Sequence, residues 1–205
     1  KQKGIIFHPY NVRAILEGRK TQTRRIMKPG IPREELVNKS PCKKGDYLYV
    51  KETWWQYGHW EHIVPHEGTF EGDTEWKRGA GEIKFFTDYP TAPGITYAGH
   101  IKSIWRKMSS LFLRKDDARI WLKVTNVRVE RLLDISDDDA IAEGIDCCDR
   151  PTGGDDYVDY YRDYMQSPKG DDGWPWIEGY PNKSYFSLWD SINGAGSHQL
   201  NPWVW

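Results

Sequence analysis

The sequence predicts an α+β fold in which short strands and short helices alternate around two long irregular insertions. Three observations predict it. Residues Ala118 to Arg131 carry the clearest strand pattern, with Ile120, Leu122, Val124, Val127 and Val129 as the apolar positions. Residues Ser136 to Gly144 read as a helix punctuated at both ends. Two stretches, at about 54–102 and 146–183, have weak hydrophobic periodicity and long loop-like composition. A chain of 205 residues is long enough for one domain with a real core that carries these insertions.

In chain order, Gly4 to Phe7 reads as a first strand. Asn11 to Glu17 follows as a short helix, with Asn11 as its N-cap and Val12, Ile15 and Leu16 on one face. Gly18 supplies the left-handed residue that ends it. The polar segment after it is β-capable and is expected to run from a turn into a strand. Lys28 to Lys44 is a connection without a clear period. Gly45-Asp46 is a turn signal ahead of a strand at Tyr47 to Glu52. The first insertion is Gly-, Pro-, Trp- and His-rich, a possible lid, with one short strand expected near Ile83 to Phe86. In the strand at 118–131, alternation breaks at Thr125-Asn126, as at a bulge or a bend. Ser136 caps the next helix, Asp137 to Asp139 sit at the positive end of its dipole, and Gly144 stops it. The second insertion is expected to hold a helix around Asp155 to Met165. Ser184 to Ile192 is an amphipathic helix with Phe186, Trp189 and Ile192 on its buried face, and Asn201 to Trp205 is a closing strand. There are no internal repeats.

Composition narrows the function classes. The net charge of −1 provides no global basic field, so any nucleic-acid contact must come from a local patch. Cys42, Cys147 and Cys148 are too few and too irregular for a disulfide framework, which favours a reduced, cytoplasmic setting. No apolar run is long enough to span a bilayer, and no signal-peptide pattern is present, so no membrane partner is expected. The eleven tryptophans either fill a core or line a site that stacks flat ligands.

The most concentrated chemistry lies in Gly18-Arg19-Lys20-Thr21-Gln22-Thr23-Arg24-Arg25. Charged groups delivered from a turn reach the surface or a cleft, and an anionic or polar ligand is expected there. This run, with Ile15-Leu16-Glu17 before it, is followed by three further blocks: Gly45 to Trp54, Val127 to Leu132 and Asp139 to Ile145. The tail, Leu188 to Asn193 with Asn201 to Val204, adds to them. In this order the blocks resemble the ASCH family, a branch of the PUA-like superfamily, and are similar to its larger phage- and prophage-encoded members. The resemblance covers about half the chain and leaves the two insertions unmatched.

What the resemblance implies is a single ASCH/PUA-like domain over 1–205: a small mixed β-barrel with flanking helices and a cleft beside the first helix. Small bacterial members are amidohydrolases that remove acetyl from N4-acetylcytidine. Their working set is a lysine and a threonine three apart in a G-x-K-x-x-T run, with a glutamate in the later helix. Those positions match Lys20, Thr23 and Glu143. No cofactor and no metal are expected. Other members bind RNA or DNA, and for a phage-encoded chain the setting is the bacterial host cytoplasm.

Amide hydrolysis needs a nucleophile, a base, a donor to the leaving amine and a positive group near the oxyanion. Thr23 offers a hydroxyl, either directly or to orient a water. Lys20 serves as base only if burial or its arginine neighbours lower its pKa. Glu143 stands at the negative end of its helix, which suits a proton donor. Arg24 and Arg25 are candidates for carbonyl or ribose contacts, and Arg19 and Trp54 complete the expected binding set. In a regular strand positions 20 and 23 face opposite sides, so both line one cleft only if the chain turns between them. The plain alternative is that a Lys/Arg/Thr cluster on a turn is a solvated surface, and that Glu143 before its glycine is merely exposed.

Other signals are weaker. His59, Glu61, His62 and His66 lie close together, but without Cys or a supporting pattern no metal is expected. Trp54, Trp55, Tyr57 and Trp60 either stack a nucleobase or pack the insertion onto the barrel. Cys147-Cys148 has no nucleophile pattern, and Asp155-Asp156 and Asp171-Asp172 read as solvated loops. Two function classes follow. One is an amidohydrolase acting on an N-acylated pyrimidine nucleoside. The other is a module that grips single-stranded nucleic acid or a modified base through Arg19, Arg24 and Arg25 without chemistry. A third reading, a phage protein that blocks a host factor through its insertions, is weaker.

Overall fold

A computed structural model describes residues 1–62, 74–79, 83–98, 101–151, 157–166 and 175–205. The fold is α+β, with several sheets and few helices. The described strands form open sheets and do not close into a barrel. The chain divides into two compact units, Lys1–Val12 with Tyr47–Lys123, and Arg13–Asp46 with Val124–Trp205.

The first unit holds two sheets. Strand β1 (Gln2–Ile6) pairs in parallel with β2 (Tyr47–Lys51), which pairs antiparallel with β8 (Trp121–Lys123). Leu48 and Val50 point to the buried side of β2 while Tyr47 is exposed, the alternation expected of a half-buried strand. The second sheet has the order β4–β3–β7–β6, from β3 (Trp54–His62), β4 (Thr74–Arg78), β6 (Thr96–Ala98) and β7 (Ile101–Met108), and β5 (Lys84–Phe85) pairs with β3. The described part of the first insertion is therefore an antiparallel sheet rather than an irregular loop, and only β5 falls where a strand was expected. Aromatic and charged residues lie on both faces of its long strands, so no period-2 hydrophobic pattern marks them.

The second unit begins within helix α1 (Pro9–Leu16) and contains α2 (Leu36–Lys39), β9 (Glu130–Arg131), α3 (Asp137–Ala142), β10 (Cys147–Pro151), β11 (Tyr157–Arg162), β12 (Trp176–Glu178), α4 (Pro181–Asn193) and β13 (Trp203–Val204). Helix α1 starts two residues before the expected cap: Pro9 suits a first helical position, and Asn11 is buried inside the helix. β10, β11 and β12 form an antiparallel sheet. The helix expected around 155–165 is thus replaced by β11, whose Tyr157, Tyr160 and Tyr161 favour an extended chain; Asp155-Asp156 and Asp171-Asp172 lie outside the described residues. The strand expected over 118–131 is split into β8 and β9, with the interruption where the alternation broke. Leu132, Ile135, Ala140, Ile145, Leu188, Trp189 and Val204 form the core of this unit. On α4 the buried residues are Pro181, Ser184, Tyr185, Leu188, Trp189 and Asp190. Phe186 packs only partly and Ile192 is exposed, so the buried stripe is rotated from the expected one.

Candidate functional site

The site is built where the segment after α1 meets the end of α3. Gly18 ends α1 with φ +75°, and the chain then runs extended past α3 without forming a regular strand. The Thr21 and Gln22 amides donate to the Ala142 carbonyl at 2.8 and 3.0 Å, satisfying a carbonyl that the helix end leaves open. Arg19 donates to the Gly144 and Ile145 carbonyls at 2.9 and 3.2 Å and to Asp146 at 3.0 Å. Further on, the Arg25 and Trp205 backbones exchange hydrogen bonds of 3.0 Å, and Ile26 bridges to Val204. The expected strand is reduced to this one bridge.

Lys20 and Glu143 come together at the centre. The Lys20 ammonium nitrogen lies 2.5 Å from Glu143 Oε2 and 2.8 Å from the Glu143 carbonyl oxygen, and both side chains are almost wholly buried. Arg24 is buried beside them. Its guanidinium reaches Glu143 at 3.2 Å, Asp139 at 2.8 Å and Glu130 at 2.7 Å. Gln22 donates to the other oxygen of Asp139 at 2.8 Å, and Arg128 pairs with Asp139 and donates to Gln22 at 3.0 Å. The buried Tyr185 ring lies 6.0 Å from the Arg24 guanidinium.

The electrostatics follow from burial. Burial pulls the Lys20 amine below its ordinary value; Glu143 opposes the fall, while Arg25 and Arg24 add to it. Burial would lower Arg24 as well, but Glu143 and Glu130 together hold it above its usual value. Arg25, also desolvated and only partly compensated by Glu143, is lowered. For Asp139, burial would raise the carboxyl, yet hydrogen bonds from Gln22 and Arg128 and the Arg24 charge hold it down. Burial and the nearby Glu143 charge push the Tyr185 phenol well up, so it stays a neutral hydroxyl.

Of the residues singled out from sequence, Lys20, Arg24 and Glu143 are brought together, Arg19 grips the neighbouring helix end, and Arg25 feels the Glu143 charge. Thr23, three residues after Lys20, is half-buried and makes no hydrogen bond among the described residues. Trp54 belongs to the first unit, buried in β3, and its indole N–H has no hydrogen-bond partner among the described residues. Glu130, Asp139, Gln22, Arg128 and Tyr185 were not foreseen as parts of the site. Asp139 was visible only as a helix-start residue, and Glu130 as one residue of the Val127–Leu132 block. No group of acidic, His or Cys side chains arranged for a metal occurs among the described residues, and His66 lies outside them. No described helix is long and apolar enough to cross a membrane.

Comparison of the chain with protein-family models, with characterised proteins and with solved structures returns no match.

Proposed function

We propose that the chain is a divergent ASCH-like amidohydrolase that removes an acyl group from an N-acylated pyrimidine nucleoside such as N4-acetylcytidine. The observation that carries this reading is the buried contact of Lys20 with Glu143 at 2.5 Å, between residues far apart in sequence. A lysine whose pKa is lowered by burial is a base over a wider pH range than an ordinary lysine, and a carboxylate in contact with it steadies the ammonium it becomes. In this reading Lys20 works as a neutral amine held by the Glu143 carboxylate. Lys20 takes a proton from the attacking water while that oxygen adds to the acyl carbon. The Lys20 ammonium, steadied by Glu143, then gives that proton to the departing nitrogen as the C–N bond breaks. The nucleoside and the free acid are released, and the Lys20 amine is restored. Thr23 orients the attacking water, and Arg25 favours the oxyanion.

A PUA-like arrangement of the chain over 1–205 and a cytoplasmic setting belong to the same reading, the latter supported by the three free cysteines. The alternative is a module that binds RNA, DNA or a modified base through this cluster without chemistry. Arg24 counts against it, since its guanidinium is already engaged by three carboxylates and is buried. Incubation of the pure protein with N4-acetylcytidine should yield cytidine and acetate. kcat/KM should rise with pH through a value below lysine's ordinary 10.5, as the amine of Lys20 loses its proton. Lys20→Ala should cost about 10²–10⁴-fold in rate, with folding checked by circular dichroism. Absence of turnover by the folded wild type, or full turnover by folded Lys20→Ala, would refute the proposal.

A further inference from the structure

The sheet β4–β3–β7 of the first unit carries a different kind of surface. Antiparallel register places Gln56, Gly58 and Trp60 of β3 on one face, with Trp76 and Arg78 of β4 and Lys102, Ile104 and Arg106 of β7. Trp60 is half exposed and meets Trp76 edge-on, with ring centres 5.5 Å apart and planes at 72°. The Arg106 guanidinium is exposed and stands 5.3 Å from the Trp60 ring and 5.7 Å from the Trp76 ring.

This arrangement is held in place. The Trp76 indole N–H donates to Gln56 at 2.9 Å. Its ring also lies across Gly58, where an added Cβ would stand 2.6 Å from the ring. A glycine in mid-strand weakens a sheet unless something must approach its backbone, and here an indole does. The charges on the two faces differ as well. Glu61 and Glu75 lie on the opposite face and pair with Lys77 there. The Trp face has three cations and, among the described residues of these strands, no carboxylate. One acid, Asp117, reaches Arg78 from outside the sheet, at a long 3.9 Å.

A half-exposed Trp60 and a partly exposed Trp76, beside cations that face no carboxylate among the described residues of these strands, suit a ligand that offers planar bases and regularly spaced anions. We infer that this face binds single-stranded nucleic acid, with bases stacking on Trp60 and Trp76 and backbone phosphates meeting Arg106, Arg78 and Lys102. The chain's net charge of −1 confines such binding to this local patch. The site lies in a different unit from Lys20 and Glu143 and does not depend on the hydrolase reading.

Fluorescence anisotropy with a labelled single-stranded oligonucleotide of mixed sequence tests the inference on the full chain. At low salt the strand should bind and quench tryptophan emission, and a duplex of the same sequence should bind more weakly. Trp60→Ala should weaken binding about tenfold or more. Arg106→Ala should flatten the dependence of log affinity on log salt by about 0.7. Lys77→Ala, on the opposite face, and Lys20→Ala should leave affinity unchanged. The inference fails if no strand binds at low salt, if folded Trp60→Ala and Arg106→Ala both bind like wild type, or if duplex binds as well as single strand. It also fails if sedimentation shows that the face is covered by a second copy of the chain, in a dimer that Trp60→Ala disperses.

Discussion

At Gly144 the backbone has φ +83°, and an added Cβ would stand 2.7 Å from Cβ of Lys20 and 2.8 Å from that of Ala14. The first fact disfavours any L side chain, and the second sets how closely the Lys20 segment can approach the end of α3. Gly144→Ala should therefore destabilise the protein by about 2 kcal/mol. It should also reduce hydrolysis by more than its stability cost explains, because it displaces the Lys20 backbone and loosens the contact with Glu143. Urea unfolding measures the first effect and turnover at full folding the second. Wild-type stability in Gly144→Ala would mean that the approach is slack. Ion pairs this deeply buried are a weak source of net stability, since desolvation offsets most of their attraction. The burial of Lys20, Arg24 and Glu143 together is thus better explained by chemistry or by specificity than by stability alone.

Helix α4 has its own polar anchor near its C-terminal end. Asp190 accepts from the Gly196 amide at 2.8 Å, the His198 amide at 2.9 Å, the Ser197 hydroxyl at 3.1 Å and the His198 ring at 2.8 Å. Burial would raise its carboxyl, but these donors, the His198 amide and ring foremost, hold it below its ordinary 3.8. A lowered carboxyl stabilises the fold above its unfolded value, and that stabilisation is lost as pH drops through the lower folded value. Asp190→Asn should cost about 2 kcal/mol near neutrality and flatten the loss of stability on acidification, as read from urea midpoints across the acid range. An unchanged acid limb would remove Asp190 from the explanation. Elements with local punctuation were the legible ones. Ser136 does accept from the Asp139 amide, at 3.2 Å, and Gly144 does stop α3. β3, β4 and β7 were not legible, because Trp60, Trp76 and Tyr57 break any alternation of apolar and polar residues. β11 was misread because Asp159, Arg162 and Asp163 between tyrosines imitate a polar helix.

Across the whole chain, neither compact unit is continuous in sequence, since the boundary is crossed near residues 12, 46 and 123. Long-range partners of that kind leave no local trace, which is why Glu130 and Tyr185 were missed while Lys20 and Glu143 were found through the resemblance. The first unit depends on β1, the parallel partner of β2 across five residue pairs. Removing residues 1–6 should strip that edge and abolish the near-ultraviolet dichroism of the tryptophans of the first unit. A full native signal from the truncated chain would show that β2 and β8 suffice without it. The same strand order also sets a timetable for synthesis. β1 leaves the ribosome well before β2, and β8 completes the sheet only when residue 123 has been added. Through that interval the newborn strand has an unfilled edge open to mispairing.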